Sequence, residues 1–288
     1  MAQRVASVGE YSNHIDDRVI IITGAGSGFG RLVAGMTAEL GAHVIAADIN
    51  EDNLKAVVDE IRAKGQSAEY KVADVTDKEQ MDAVAAFAVE KFGRIDVMLN
   101  NAGIMPLAFW SDHKKASKAW DKAIDINIKG VVNGITAVYD QMMEQGRGQV
   151  VNISSIYGNA GMPGSGVYSA TKAAVKIISD SLRIESHGKI KVTTLKPTGV
   201  PGTNLASAVV NETAISGLAG QNAAQYFDST EKFMKGELPA EQTDSDSIEY
   251  WALTPEELAE NVVYVINQPW GVNISDITVR ASGDVFIH

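Results

Sequence analysis

Seven short runs of aliphatic and β-branched residues, RVIIIT, HVIAAD, AEYKVAD, IDVMLN, GQVVNIS, IKVTTL and ISDITVR, recur along the chain with longer stretches of helical period between them. Several are apolar nearly throughout instead of at every second position, the pattern of strands covered on both faces. Strands that alternate with helices and need cover on both sides form βαβ units around a parallel sheet. The sequence therefore predicts an α/β fold, a doubly wound seven-stranded parallel sheet with helices on both faces. Its last helical stretch opens with Thr254-Pro255-Glu256-Glu257, an N-cap followed by proline and acids in the first turn.

Two segments break the alternation. Residues 1–17 are polar and are expected to form an N-terminal arm, mobile or in contact with a partner. About residues 198–253 separate strand six from the last helix, where a connection of roughly 2–6 residues is usual. An insertion of that length above the carboxyl ends of the strands is expected to serve function. No repeat or composition break marks a second domain, so residues 18–288 read as one domain carrying this insertion.

Charge and composition exclude several classes of function. The net charge of -11 opposes electrostatic binding to nucleic acid or anionic lipid. With no cysteine there is no disulfide framework, thiolate metal site or thiol nucleophile. His14, His43, His113, His187 and His288 have no metal-ligand spacing, so no metal is expected. No apolar run approaches the roughly 20 residues of a membrane helix, and the first residues lack the apolar core of a signal peptide. A cytoplasmic enzyme is the expectation.

The first strand runs directly into Thr23-Gly24-Ala25-Gly26-Ser27-Gly28-Phe29-Gly30 at the start of the first helix. Glycines let the backbone turn sharply and approach a pyrophosphate, while the helix N-terminus offers free N–H donors and a positive dipole end. Asp48, at the end of the second strand, is placed to accept from the adenosine ribose hydroxyls. A 2′-phosphate there would meet a like charge, and the neutral Ser27 offers no cation to offset it. NAD is therefore expected over NADP.

With these features the chain resembles the short-chain dehydrogenase/reductase family, a Rossmann-type fold, over Arg18 to about Val200 and again over Thr254 to Arg280. The likeness is carried by T-G-x-x-x-G-x-G at Thr23 to Gly30, ADV at Ala73 to Val75, NNAG at Asn100 to Gly103, Asn127 in DINIKG, Ser155, and Y-x-x-x-K at Tyr168 to Lys172. The resemblance implies a catalytic set of Asn127, Ser155, Tyr168 and Lys172. It also implies that NAD is met by Gly24, Ser27, Gly28, Phe29, Gly30, Asp48, Ile49, Asp74, Val75, Asn101, Ala102, Gly103, Tyr168, Lys172, Pro197, Val200 and Thr203. In the family the lysine also grips the nicotinamide ribose, the asparagine holds a proton-relaying water, and members pair into homodimers and homotetramers. The helices of that pairing correspond to Asp112–Gln145 and Gly166–Ser186.

Elementary chemistry points the same way. Tyr168 and Lys172 lie four apart in a segment of helical period and project from one face. An ammonium beside a phenol is expected to lower its pKa from about 10 toward working pH. Tyr168 then takes or returns the alcohol proton while hydride moves to or from the cofactor. Tyr157, the rival phenol, has Gly161 where a lysine would be needed and reads as pocket wall or core. One departure stands out: where the family usually has P-G-x-V-x-T, this chain reads KPTGVPGTNL, with Thr198 in the glycine position and Thr203 one place late.

On the substrate side, LASAVVNETAISGLAG suits a mobile helical lid over an apolar substrate, and the acidic PAEQTDSDSIEYW reads as solvated. Met105, Pro106, Phe109, Trp110 and Met162 are expected to serve either as apolar wall or as core. The reading is an NAD-dependent oxidoreductase acting on a secondary alcohol or ketone. Its alternative is an NAD-binding scaffold or redox sensor without significant turnover.

Overall fold

The computed structural model describes residues 12–201 and 204–286. In chain order its elements are β1 (Val19–Thr23), α1 (Gly28–Glu39), β2 (His43–Asp48), α2 (Glu51–Ala63), β3 (Ala68–Val72), α3 (Lys78–Phe92) and β4 (Val97–Asn100). They continue with α4 (His113–Ile124), α5 (Gly130–Gln145), β5 (Gly148–Ile153), α6 (Gly166–Glu185) and β6 (Ile190–Pro197). The insertion contributes α7 (Ile215–Ala219), α8 (Ala223–Lys235) and α9 (Ala240–Thr243), and α10 (Pro255–Ile266) and β7 (Asp276–Val279) follow. All seven expected strands form one parallel sheet in the order β3-β2-β1-β4-β5-β6-β7.

Alternation along each strand divides the core in two. Ile20, Ile22, Val44 and Ala46 pack with α1, α2 and α10 on one face. Val19, Ile21, Ile45 and Ala47 pack with α3, α5 and α6 on the other. Both faces are apolar because both are covered, which is why the runs lack polar alternation. Strand order reverses between β1 and β4, so the crevice of a doubly wound sheet opens at their carboxyl ends. The expected start of α10 is a full capping box: the Thr254 hydroxyl accepts from Glu257 N, and the Glu257 carboxylate accepts from Thr254 N.

One expectation is corrected. The arm does not extend to residue 17: Ile15 is fully buried in the α1/α10 core. Asn13 Nδ2 donates to Leu40 O at 2.7 Å, His14 N to Asn267 Oδ1 at 2.7 Å, and Asp17 N to Gly41 O at 3.1 Å. One isoleucine among polar neighbours is enough to fix the segment, although its composition reads as solvated. The long helical stretch before β5 is helical throughout, with a π turn at Asp125–Lys129 between α4 and α5 and the buried Asn127 inside it.

A buried polar chain fixes the helix that matters most. Asn100 Nδ2 donates to Asn152 Oδ1, Asn152 Nδ2 to Ser179 Oγ, and Ser179 Oγ to Val175 O, at 2.8, 2.9 and 2.7 Å. It crosses from β4 through β5 to α6, and removing one partner would strand the next in an apolar interior.

Because Ile15 is enclosed on all sides, Ile15→Ala should cost about 2–5 kcal/mol of unfolding free energy in urea titrations while leaving the circular dichroism of the native state unchanged. A loss below about 0.5 kcal/mol, the range of ordinary surface substitutions, would show that residues 12–17 do not seal the core.

Candidate active site

A cleft of about 1180 Å³ lies along the carboxyl ends of the strands. One end is formed by the glycine turn. Gly24 has φ 66°, and a Cβ on it would come within 3.0 Å of Ala102 Cα. At Gly30 a Cβ would stand 2.2 Å from Gly24 O, so this glycine lets α1 close onto β1. Asn101 sews the two loops together, its Nδ2 donating to Thr23 O at 3.0 Å and Gly24 O at 3.2 Å. The Thr23 hydroxyl accepts from the amides of Asn101 and Ala102. Gly28, at φ 51°, has nothing within 4 Å of where a Cβ would be. Ser27 is the N-cap residue of α1 but makes no side-chain cap bond, leaving first-turn N–H groups to the cleft.

Asp48 Oδ2 accepts from Gly26 N at 3.1 Å and Oδ1 from Asn50 N at 3.0 Å, so the carboxylate is fixed beside the turn. Asn50 caps α2. Exposed Ile49 borders the same end, with Phe29, Ala102, Gly103 and Val75. Asp74 also reaches the cleft, but its Oδ1 accepts from the Thr76 amide at 2.9 Å and hydroxyl at 2.8 Å, a loop-capping arrangement.

Further along, β5 and α6 bring the chemistry-bearing side chains together. Tyr168 and Lys172 are both buried on α6, with Lys172 Nζ 5.9 Å from the centre of the Tyr168 ring. Ser155 follows β5 and lines the cleft with Tyr168, its Oγ accepting from Tyr157 N at 3.2 Å. Lys172 Nζ donates to Ile153 O at 2.9 Å, and Ser154 Oγ donates to Lys172 O at 2.7 Å. Asn127 does not face the cleft with a free amide. Its Nδ2 donates to Ile104 O and Thr171 Oγ1, and its Oδ1 accepts from Ile104 N. It joins the loop after β4 to α6 next to Lys172.

The electrostatics correct the expected shift of the phenol. Burial pushes Tyr168 up to about 12, with the neighbouring Ser155 pulling the other way. Burial also lowers Lys172 to about 8. In the chain alone desolvation sets both shifts, while the ammonium donates to the Ile153 carbonyl.

The family model for short chain dehydrogenases matches residues 18–214. The chain belongs to the short-chain dehydrogenase family. It is 35% identical over 265 residues to an uncharacterized oxidoreductase of Listeria innocua, covering 92% of this chain and 96% of the relative. An uncharacterized oxidoreductase of Staphylococcus saprophyticus is 32% identical over 271 residues, covering 94% and 98%. Among solved structures, a short-chain dehydrogenase/reductase from Burkholderia phymatum in complex with NAD superposes with a TM-score of 0.72 at 27% identity, covering 93% of this chain and 90% of that one. The closed form of a serine dehydrogenase complexed with NADP+ gives 0.73 at 28% identity, covering 91% and 94%. This protein is an oxidoreductase of that family.

The departure after β6 has a local explanation. Thr198 is not in the left-handed region, and its N–H donates to Val279 O at 3.2 Å, continuing the pairing of β6 with β7. Extended backbone accepts a β-branched residue as readily as glycine. Pro197 and Val200 line the cleft, and Thr203 lies outside the described residues.

The apolar end departs more from expectation. Met105 and Leu107 line it, whereas Phe109 and Met162 pack in a small satellite core and Pro106 accepts from Trp120. Trp110 is not pocket wall: it is 70% exposed and stands edge-on to Trp120. Tyr157 is wall, its hydroxyl donating to Leu218 O at 3.4 Å and its pKa driven far up by burial. The insertion is helical and lines the cleft, as expected, and its acidic end is exposed. Tyr226, Phe233, Trp251 and Phe286 also line it. None was marked by a motif; only the aromatic content of residues 226–251 hinted at them.

These shifts fix a pH dependence. Lys172 titrates near 8 when folded and near 10.5 when free, so between these values the unfolded chain binds more protons and stability rises with pH. Tyr168 acts oppositely, costing stability from pH 10 toward 12. Between pH 8 and 10, wild type should therefore gain on Lys172→Met by about 1 kcal/mol per pH unit in urea unfolding. Parallel curves for the two proteins would contradict a buried, depressed ammonium.

Proposed function

We propose that this protein transfers hydride between NAD(H) and a secondary alcohol or ketone, with Tyr168 as the general acid and base. The observation that carries the reading is that Ser155, Tyr168 and Lys172 line one cleft, with the buried Lys172 Nζ 5.9 Å from the centre of the Tyr168 ring. The glycine turn fits a dinucleotide because Gly28 leaves open space where a side chain would intrude, above first-turn amides that no side chain caps. When bound, the nicotinamide supplies the hydride acceptor or donor.

The residues of the chain then have distinct tasks. Ser155 holds the substrate oxygen beside Tyr168. In oxidation the O–H proton passes to the Tyr168 phenolate as the C–H pair departs as hydride and the carbonyl forms. Reduction reverses each transfer. Lys172 stabilises the phenolate, opposing the burial that holds the phenol neutral in the chain alone, and a positively charged nicotinamide held in this cleft would add to that effect. Asn127 positions this group: both of its side-chain donors are already used, so water relay does not fall to them.

Asp48 supports NAD over NADP. Its carboxylate is fixed beside the turn, where a 2′-phosphate would meet a like charge. Absence of cysteine supports a reducing cytoplasm, and the exposed Ile177 and Ile184 on α6 support pairing through the expected helices. Among the described residues no helix is long and apolar enough to cross a membrane.

Tyr168→Phe should lower kcat for alcohol oxidation by roughly 10²- to 10⁴-fold, with NADH binding unchanged in fluorescence titrations. Wild type should use NAD with a kcat/KM at least about 10-fold above that for NADP, the worth of about 1.4 kcal/mol of charge repulsion. Full turnover in Tyr168→Phe would remove the mechanism. NADH binding without turnover on any substrate would favour a sensor or scaffold.

A further inference from the structure

The lid and the C-terminal tail meet over the apolar end of the cleft and build one wall of aromatic rings. Tyr157 stands edge-on to Phe286, centroids 5.9 Å apart, and Phe286 meets Tyr226 at 5.5 Å. Tyr226 approaches Trp251 at 6.4 Å, and Trp251 approaches Phe233 at 5.5 Å. All five rings border the cleft, and the near end of the strip shares an apolar cluster with Tyr168.

Phe286 is the keystone, and it is held firmly. Val285 O accepts from Asn222 Nδ2 at 2.9 Å, tying the tail to the start of α8. Phe286 O accepts from Arg280 at 2.9 Å, and Phe286 N donates to Asp284 Oδ1 at 3.2 Å. The ring lies against Gly199, where a Cβ would come within 2.4 Å of it. Glycine at 199 thus admits an aromatic face beside Val200, between the end of β6 and the lid.

Among the described residues charge is absent from this wall, the charged lining residues Lys118, Asp121, Lys122 and Asp125 standing apart from it on α4 and the turn that follows. None of the residues from 198–253 or 285–286 that line the cleft is an acid or a base apart from the Tyr226 phenol, and burial raises its pKa, keeping it neutral. Arg280 and Asp284, the charged groups of the tail, are paired with each other. A carboxylate or phosphate packed on this wall would lose its hydration with no cation on the wall itself to receive it, whereas a flat apolar body would find ring faces and edges to pack on.

We propose that the substrate is an uncharged molecule whose body beyond the reacting carbon is aromatic, and that Phe286 sets this preference. The inference rests on the hydride-transfer reading for its kinetics, but not for its binding. The test uses full-length protein with NADH and three ketones: acetophenone, 2-butanone and 4-acetylbenzoate. Wild type should favour acetophenone over the other two by at least about 10-fold in kcat/KM, the scale of a pocket contact won or lost. In Phe286→Ala the KM for acetophenone should rise at least about 5-fold, and the loss of kcat/KM should be at least about 3-fold larger for acetophenone than for 2-butanone.

Phe286→Leu keeps the apolar volume without the ring and guards against misfolding; it should show the same split. Preference for 4-acetylbenzoate or 2-butanone, or equal losses on acetophenone and 2-butanone, would overturn the proposal. If no ketone is reduced although NADH binds, the hydride-transfer reading fails instead. Acetophenone titrated calorimetrically into the NADH complex then decides: weaker binding to both Phe286 variants upholds the aromatic subsite, and equal binding to all three proteins overturns it.

Discussion

Lys172 is fastened to the end of β5 from both ends of the residue. Its backbone carbonyl accepts from Ser154 and its ammonium donates to Ile153. This double attachment fixes the height and rotation of α6 against the sheet, and with it the position of Tyr168 one turn earlier. The buried Asn100–Asn152–Ser179 chain holds the same helix farther along, and Asn127 steadies it through Thr171. An acid/base group must be placed within a hydrogen bond of its partner, and here backbone and side chain together impose that constraint.

Burial sets the chemical character of the group as strongly as proximity does. Desolvation disfavours the charged form of both groups, pushing the phenol up to about 12 and the amine down to about 8. Such a pair is poised to respond to an added positive charge, because each unit of pKa corresponds to only about 1.4 kcal/mol. Cofactor binding and activation of the phenol are then one event in the proposed mechanism, and the resting chain does not carry a standing phenolate.

The fold was legible because its signals are periodic and local. Strands buried on both faces leave continuous apolar runs, and the Thr254 to Glu257 box is written in four consecutive letters. Tyr168 and Lys172 were legible for a similar reason, since one helical turn converts their spacing into a shared face. Ile15 was missed because a single buried residue leaves no period to read. The phenol shift was misjudged because desolvation depends on everything packed around a group, not on its neighbour in sequence. The aromatic wall depends on tertiary closure: Phe286 meets Tyr157 from more than a hundred residues away. Gly199 and Phe286 are unremarkable letters until β6 and the tail are brought side by side.

The account turns on a phenol that is neutral in the chain alone and becomes a base once the cofactor's charge joins that of Lys172. The most direct test is the pH profile of kcat/KM for alcohol oxidation under saturating NAD, which reports the acid/base group of the cofactor complex. The account predicts a rise that levels off below about pH 9, at least about 3 units under the value of 12 set by burial. A rate that keeps climbing through pH 10 without levelling would contradict it.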